Sequence, residues 1–152
     1  MDKQDLAITF ERIADLLEIK GEIAFKTVAY RNAAESLCTL QEDIHVLQRE
    51  GRLKEIPGVG DAIAKKIDEL LTTGKLDFLE RLESEVPPSL LELLQVPGLG
   101  PKKAALFWKQ ANIITLAQLE AAAKAGKLHS LPGMGDKSEA RLLEGIESIK
   151  PK

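Results

Sequence analysis

Apolar residues in this chain recur three and four positions apart and almost nowhere in alternation, so the pattern predicts helices throughout and no strands. Leu6, Phe10, Ile13 and Leu17 form a first stripe that Gly21 stops. A second helix is expected from Phe25 to about Leu40, with Val28, Ala29, Ala33, Leu37 and Leu40 on its apolar face. Ile44 and Leu47 mark a short third helix that ends before Gly51. A turn of helix at residues 53–56 leads to a longer one bearing Ile63, Ile67, Leu70 and Leu71, closed by Gly74, and Leu76, Leu79 and Leu82 mark another. The paired prolines Pro87 and Pro88 then exclude helix and give the boundary between two small subdomains, 1–86 and 87–152. Beyond it, Ser89 with Glu92 reads as a capping box, and Ala104, Ala105, Phe107 and Trp108 lie on a helix with both aromatics in the core. Thr115 with Gln118 is a second capping box, opening a helix with Leu116, Leu119 and Ala122 that stops at Gly126. Leu142, Leu143 and Ile146 mark the last helix. The expected fold class is all-α.

Between these helices one phrase occurs three times: Pro57-Gly58-Val59-Gly60, Pro97-Gly98-Leu99-Gly100 and Pro132-Gly133-Met134-Gly135. Each copy follows a short apolar stretch and precedes a helix with lysine near its start, as Lys102 and Lys137 illustrate. Proline ends the preceding helix, the glycines permit angles closed to other residues, and the apolar residue between them anchors the turn. The unpaired N–H groups at the start of the next helix then face outward, where amides and helix dipole stabilise an anion. A single copy is an ordinary interhelical turn. Three copies in the same context read as helix-hairpin-helix motifs, repeated cradles for a polymer of phosphates that contact backbone and not bases. Their spacing, 40 then 35 residues, lies in the solenoid range, but the segments between differ too much for a uniform array.

Composition changes this picture only in part. The net charge of −3 argues mildly against nucleic acid. Residues 1–50, however, hold ten acids against six bases, whereas 51–152 hold fourteen against fifteen, so the hairpin region is close to neutral with lysines at its turns. No apolar run is long enough for a membrane span and no signal-peptide pattern is present, so an intracellular, cytoplasmic protein is expected, nucleoid-associated if bacterial. One cysteine, Cys38, precludes an internal disulfide, and with two distant histidines, His45 and His129, it makes no zinc site.

The run Lys26-Thr-Val-Ala-Tyr30-Arg-Asn-Ala-Ala34, the segment from Leu53 through Pro57-Gly-Val-Gly60 and Lys66, and Thr73-Gly-Lys-Leu76 resemble the N-terminal lyase domain of family X DNA polymerases, the group that includes DNA polymerase beta. Residues 89–149, with their two Pro-Gly-x-Gly phrases, resemble the adjoining fingers or thumb subdomain, particularly of bacterial members. The resemblance implies a module that grips gapped or nicked DNA from both sides through the amides around Gly58, Val59 and Gly60, around Gly98, Leu99, Gly100 and Lys102, and around Gly133, Met134, Gly135 and Lys137. It further implies a monovalent cation, Na or K, held by the carbonyls of Lys54, Ile56 and Val59, and another by those of Leu94, Val96 and Leu99, bridging to phosphate. No other cofactor is required. The family's Schiff-base nucleophile matches Lys66, with Lys26 and Tyr30 at positions that bind the 5′-phosphate and orient the sugar. Two family phosphate-binding lysines are replaced by Ala62 and Phe78, which weakens that pocket.

The palm's Asp-x-Asp for two metal ions is absent, so no polymerase activity is expected from this chain, which stops about where a palm would begin. Three functions compete: a sequence-independent DNA-binding module for broken duplex, a 5′-deoxyribose-phosphate lyase acting through Lys66, and a protein-interaction scaffold with degenerate hairpins. Expected partners are gapped or nicked DNA, repair proteins, or a palm domain on a longer chain, and no membrane. Against the lyase stand the common fate of a lysine as a solvated surface residue and of a tyrosine as a packing one.

Overall fold

The computed structural model describes residues 1–22 and 24–150. Among them every regular element is helical, and no helix is long and apolar enough to cross a membrane. Backbone contacts divide the chain into two compact units, Met1–Glu85 and Val86–Lys152.

The first unit is built on α1 (Lys3–Lys20), which packs against α2 (Ala24–Cys38) and α5 (Asp77–Glu85). Asp2 and Asp5 close a capping box at the start of α1, and Gly21, with φ 92°, ends it as the periodicity predicts. Leu6, Phe10, Ile13 and Leu16 are fully buried. Ion pairs fasten the partners to this helix: Arg31 of α2 to Glu11 and Asp15, Arg12 to Glu83 of α5, and Lys20 to Glu85.

α2 departs from expectation in both length and rotation. It stops at Cys38, and its buried face is Thr27, Tyr30, Ala33, Ala34 and Leu37, while Val28 is half exposed. The rotation follows from an aromatic stack. The Tyr30 ring lies 5.9 Å from Phe10 and 5.9 Å from Phe78 of α5. Burying a tyrosine between two phenylalanines gains more apolar contact than burying one valine.

Next come α3 (Ile44–Arg49), capped by Asp43, a 3-10 turn (Leu53–Glu55) and α4 (Asp61–Thr73), whose buried residues are Ile63, Ile67 and Leu70. Gly74 ends α4 at φ 78°.

The second unit opens with a run of tight turns in place of a capped helix. The Leu90, Leu91 and Glu92 N–H groups donate to the carbonyls of Pro87, Pro88 and Ser89, and α6 (Leu90–Leu93) is a single turn. The expected Ser89–Glu92 capping box does not form. Ser89 already has helical angles (φ −61°, ψ −22°), whereas a capping side chain needs an extended backbone to reach forward. The proline pair therefore opens a helical turn, at the position where a missing N–H costs nothing.

α7 (Pro101–Ala111) buries Ala104 and Phe107, while Trp108, expected in the core, remains partly exposed. Thr115 caps α8 (Leu116–Lys124) by accepting the Gln118 N–H at 3.1 Å. The Gln118 side chain closes its half of the box on the Ile114 N–H, one residue earlier than the pattern requires. α8 packs on α9 (Asp136–Ile149).

Candidate nucleic-acid interface

The three Pro-Gly-x-Gly phrases fold into one backbone form. In each, the N–H of the central apolar residue closes a turn onto the carbonyl three residues back: Val59 to Ile56, Leu99 to Val96 and Met134 to Leu131, all at 3.0 Å. The first glycine of each copy is left-handed (Gly58 φ 81°, Gly98 φ 84°, Gly133 φ 77°), an angle that strains any residue with a side chain. The second glycine, Gly60, Gly100 or Gly135, is the helix N-cap in an extended conformation open to other residues. What its missing side chain supplies is room: a Cβ at any of the three would meet nothing within 4 Å. The bare first turns of α4, α7 and α9 are thus open to solvent, and the first intrahelical bonds begin only at Ala64, Ala104 and Glu139.

Depth and charge separate the copies. Val59 and Leu99 are 5% and 4% exposed, and Ile56 and Val96 are buried beside them. Met134 and Leu131 are only half-buried, so the third hairpin is anchored less deeply than its sequence suggests. It is braced instead by Glu139, a carboxylate only 9% exposed, whose Oε2 accepts the N–H groups of Leu128 at 2.8 Å and His129 at 3.1 Å. At the first cradle Asp61 opens α4, and the Lys54 ammonium held to it at 2.6 Å keeps its carboxyl below the usual carboxylate range. At the second, Pro101 opens α7 and is followed by Lys102 and Lys103, and Lys103 donates to the Gly98 carbonyl at 3.4 Å. Asp136 and Lys137 open the third.

The carbonyls expected to hold a monovalent cation all keep acceptor capacity. Those of Ile56 and Val96 each accept a single turn bond, and those of Lys54, Val59, Leu94 and Leu99 accept none, so each retains a lone pair. Among the described residues no cluster of His, Cys, Asp and Glu could hold a metal ion.

Beside the first cradle an open cleft of about 500 Å³ runs between α4 and α5, and Ala62, Lys66, Phe78 and Arg81 line it. Lys66 is partly buried, with its Nζ 4.8 Å from the centre of the Phe78 ring. Burial pulls its pKa below the ordinary lysine value; Glu69 opposes this and Arg81 adds to it. Tyr30 reaches the same aromatic wall by stacking on Phe78, and burial raises its pKa, so it stays a neutral phenol. Lys26 is not among the residues lining the cleft: it is exposed and pairs with Glu22 at 3.6 Å. Ala62 and Phe78, the positions read as missing lysines, both line the cleft.

Glu139 and Gly145 carry no sequence signal; a Cβ at Gly145 would lie 3.0 Å from Val96 Cγ1 and 3.1 Å from the Pro97 carbonyl, so α9 presses on the second hairpin. The sequence signal for Arg81 is its position three residues beyond Phe78 on the same helix.

Residues 1–76 match the family model described as a helix-hairpin-helix domain, and residues 90–148 match that of a SAM-like helix-hairpin-helix tandem. The chain is 35% identical over 146 residues to the DNA polymerase/3′-5′ exonuclease PolX of Bacillus subtilis (strain 168), a match covering 96% of this chain and 25% of that protein. It is 36% identical over 62 residues to DNA polymerase lambda of Arabidopsis thaliana, covering 40% of this chain and 12% of that one. The chain thus spans a quarter or less of the length of these curated relatives.

Proposed function

Because the chain belongs to the helix-hairpin-helix domain family, whose model spans residues 1–76, we propose that it is a sequence-independent DNA-binding module for gapped or nicked duplex, resembling the N-terminal part of a family X DNA polymerase. One observation carries the reading: three hairpins of one backbone form, each presenting unpaired amides at an unobstructed helix start. Such amides bind the phosphodiester backbone and read no bases. The first cradle, in a subdomain of residues 1–86, takes one side of the break, and the second and third, in 87–152, take the other. A Na or K ion on the hairpin carbonyls supplies positive charge that the sequence lacks. A DNA partner places the protein in the cytoplasm, at the nucleoid if its source is bacterial.

Titrating a short-gapped and an intact duplex at several salt concentrations tests this. Tighter binding to the gapped duplex, with affinity falling linearly in log salt, is the expected result. Equal and salt-insensitive binding to both, or none, rejects it in favour of a protein scaffold.

The Lys66 cleft favours a second reading, 5′-deoxyribose-phosphate lyase. A neutral amine is needed to attack the C1 aldehyde, and partial burial of Lys66 disfavours the ammonium, while the face of the Phe78 ring, 4.8 Å away, attracts it. The amine adds to the aldehyde and loses water to form a Schiff base; loss of a C2 proton then expels the 3′-phosphate oxygen. Tyr30, stacked on Phe78, fixes the ring that forms the wall for the sugar. Borohydride should trap a covalent adduct on gapped DNA bearing the sugar remnant, and Lys66→Ala should abolish it. An undiminished adduct in that variant excludes Lys66 as nucleophile.

A further inference from the structure

Glu139 stands where the other two hairpins carry alanine. It is the fourth residue after the N-cap Gly135, as Ala64 is after Gly60 and Ala104 after Gly100, and each donates its N–H to the carbonyl of that glycine. A buried carboxylate at such a place is costly unless its lone pairs are used. Here they are used on the limb before the hairpin. Oε2 accepts the N–H groups of Leu128 and His129, and Oε1 lies 3.5 Å from Nδ1 of His129.

From this carboxylate a chain of hydrogen bonds runs to the turn. The Leu128 carbonyl accepts the Leu131 N–H at 3.0 Å, and the Leu131 carbonyl accepts the Met134 N–H at 3.0 Å, the bond that closes the hairpin. The contact between residues 128 and 139 therefore staples the limb before the hairpin to the helix after it. The first two hairpins have the same pair of turn bonds, over Leu53, Ile56 and Val59 and over Leu93, Val96 and Leu99. All six of those residues are buried, so apolar depth holds their turns. In the third only Leu128 is buried, while Leu131 and Met134 are half-buried, and charge-assisted bonds to Glu139 supply the hold that depth does not.

We propose that Glu139 is a positioning residue for phosphate binding at the third hairpin: its carboxylate keeps the turn at residues 132–135, and with it the bare first turn of α9, in the form that receives a phosphodiester. The assignment rests on the DNA-binding reading.

Charge and position predict opposite results, which makes the test sharp. A carboxylate near a phosphate site repels it, so by charge alone its removal tightens binding. Glu139→Ala, made in the full chain, should instead weaken binding of a short-gapped duplex about fivefold and lower the salt slope by about 1, the loss of one phosphate contact. Glu139→Gln keeps an acceptor oxygen of the same reach and should bind at least as tightly as the wild type, with the slope intact. Amide hydrogen exchange reads the staple itself: the Met134 N–H should exchange about tenfold faster in Glu139→Ala, with Val59 and Leu99 unchanged. Unchanged Met134 exchange, or a Glu139→Gln weakened as much as Glu139→Ala, overturns the proposal. Wild-type affinity and slope in Glu139→Ala remove Glu139 and leave the DNA-binding reading standing. If circular dichroism shows Glu139→Ala unfolded, the wild type decides: by linkage a saturating gapped duplex should slow exchange of the Leu128 and His129 N–H groups, and no slowing overturns the proposal. If the wild type binds no duplex the DNA reading fails, whereas a Met134 amide released in Glu139→Ala alone still supports the staple.

Discussion

In the first hairpin the residue that opens the following helix is Asp61, bound to Lys54; in the second it is Pro101, followed by Lys102 and Lys103. The turns beneath are the same, with left-handed glycines at 81° and 84° and closing bonds of 3.0 Å. The backbone therefore makes both cradles, and the first helical turn decides the charge each one presents. Its surroundings then decide the rest. The first cradle adjoins the Lys66 cleft, whereas the second is pressed by α9 at Gly145. On this reading the second hairpin is the stronger electrostatic grip, and the first trades grip for a neighbouring site.

The largest test of that asymmetry replaces the glycines in pairs. Gly98→Val with Gly100→Val should weaken gapped-duplex binding about thirtyfold, on the order of 2 kcal/mol, and Gly58→Val with Gly60→Val about tenfold. Valine is strained at the first site and blocks approach at the second. Fluorescence anisotropy measures the loss, with circular dichroism confirming helix content; equal losses would erase the distinction between the hairpins.

Gly145→Ala probes the support behind the second hairpin. Helix propensity favours alanine by about 1 kcal/mol, but a Cβ facing the Pro97 carbonyl overpacks a rigid backbone, and a net loss of about 1–2 kcal/mol in chemical denaturation is expected. Gly135→Ala, with nothing near the added carbon, should change stability by less than about 0.5 kcal/mol.

The charge difference can be moved from one hairpin to the other. Lys102→Ala should lower the salt slope of binding by about 1, and Ala62→Lys, the matching position of the first hairpin, should raise it by about 1. A slope unmoved by either substitution would mean that these positions do not face phosphate.

The smallest effect concerns Lys66. Its folded pKa is depressed, so its protonated form is disfavoured in the native state and penalises folding at pH values below that pKa. The penalty fades as pH rises and is gone above the unfolded value. Lys66→Met should therefore gain stability at pH 7 relative to the wild type, and the gain should shrink towards pH 10.5. A gain constant with pH would assign it to packing against Phe78 and not to charge.

What could be read from the sequence was local. Gly21 and Gly74 stop helices, Asp2 and Thr115 start them, and the three turns form where Pro-Gly-x-Gly stands, because each depends on residues within about four positions. The errors share the opposite cause. Periodicity places Val28 inward, but periodicity alone does not fix a helix's rotation. That was set by Phe10 and Phe78, 20 residues before Tyr30 and 48 after it. Ser89 had capping chemistry but lacked the extended backbone, which the prolines before it had already turned.

The same division runs through the site. Three bared helix starts follow from local chemistry alone, since one glycine angle and one missing side chain suffice for each. How these starts differ is a matter of packing. Whether an anchor is buried like Leu99 or shallow like Met134, whether Glu69 is spent on a helix end, and whether Lys66 leaves water for an aromatic face all depend on partners brought together by folding. Hydrogen-bonded turns are short-range, whereas burial and charge pairing sum over everything packed nearby.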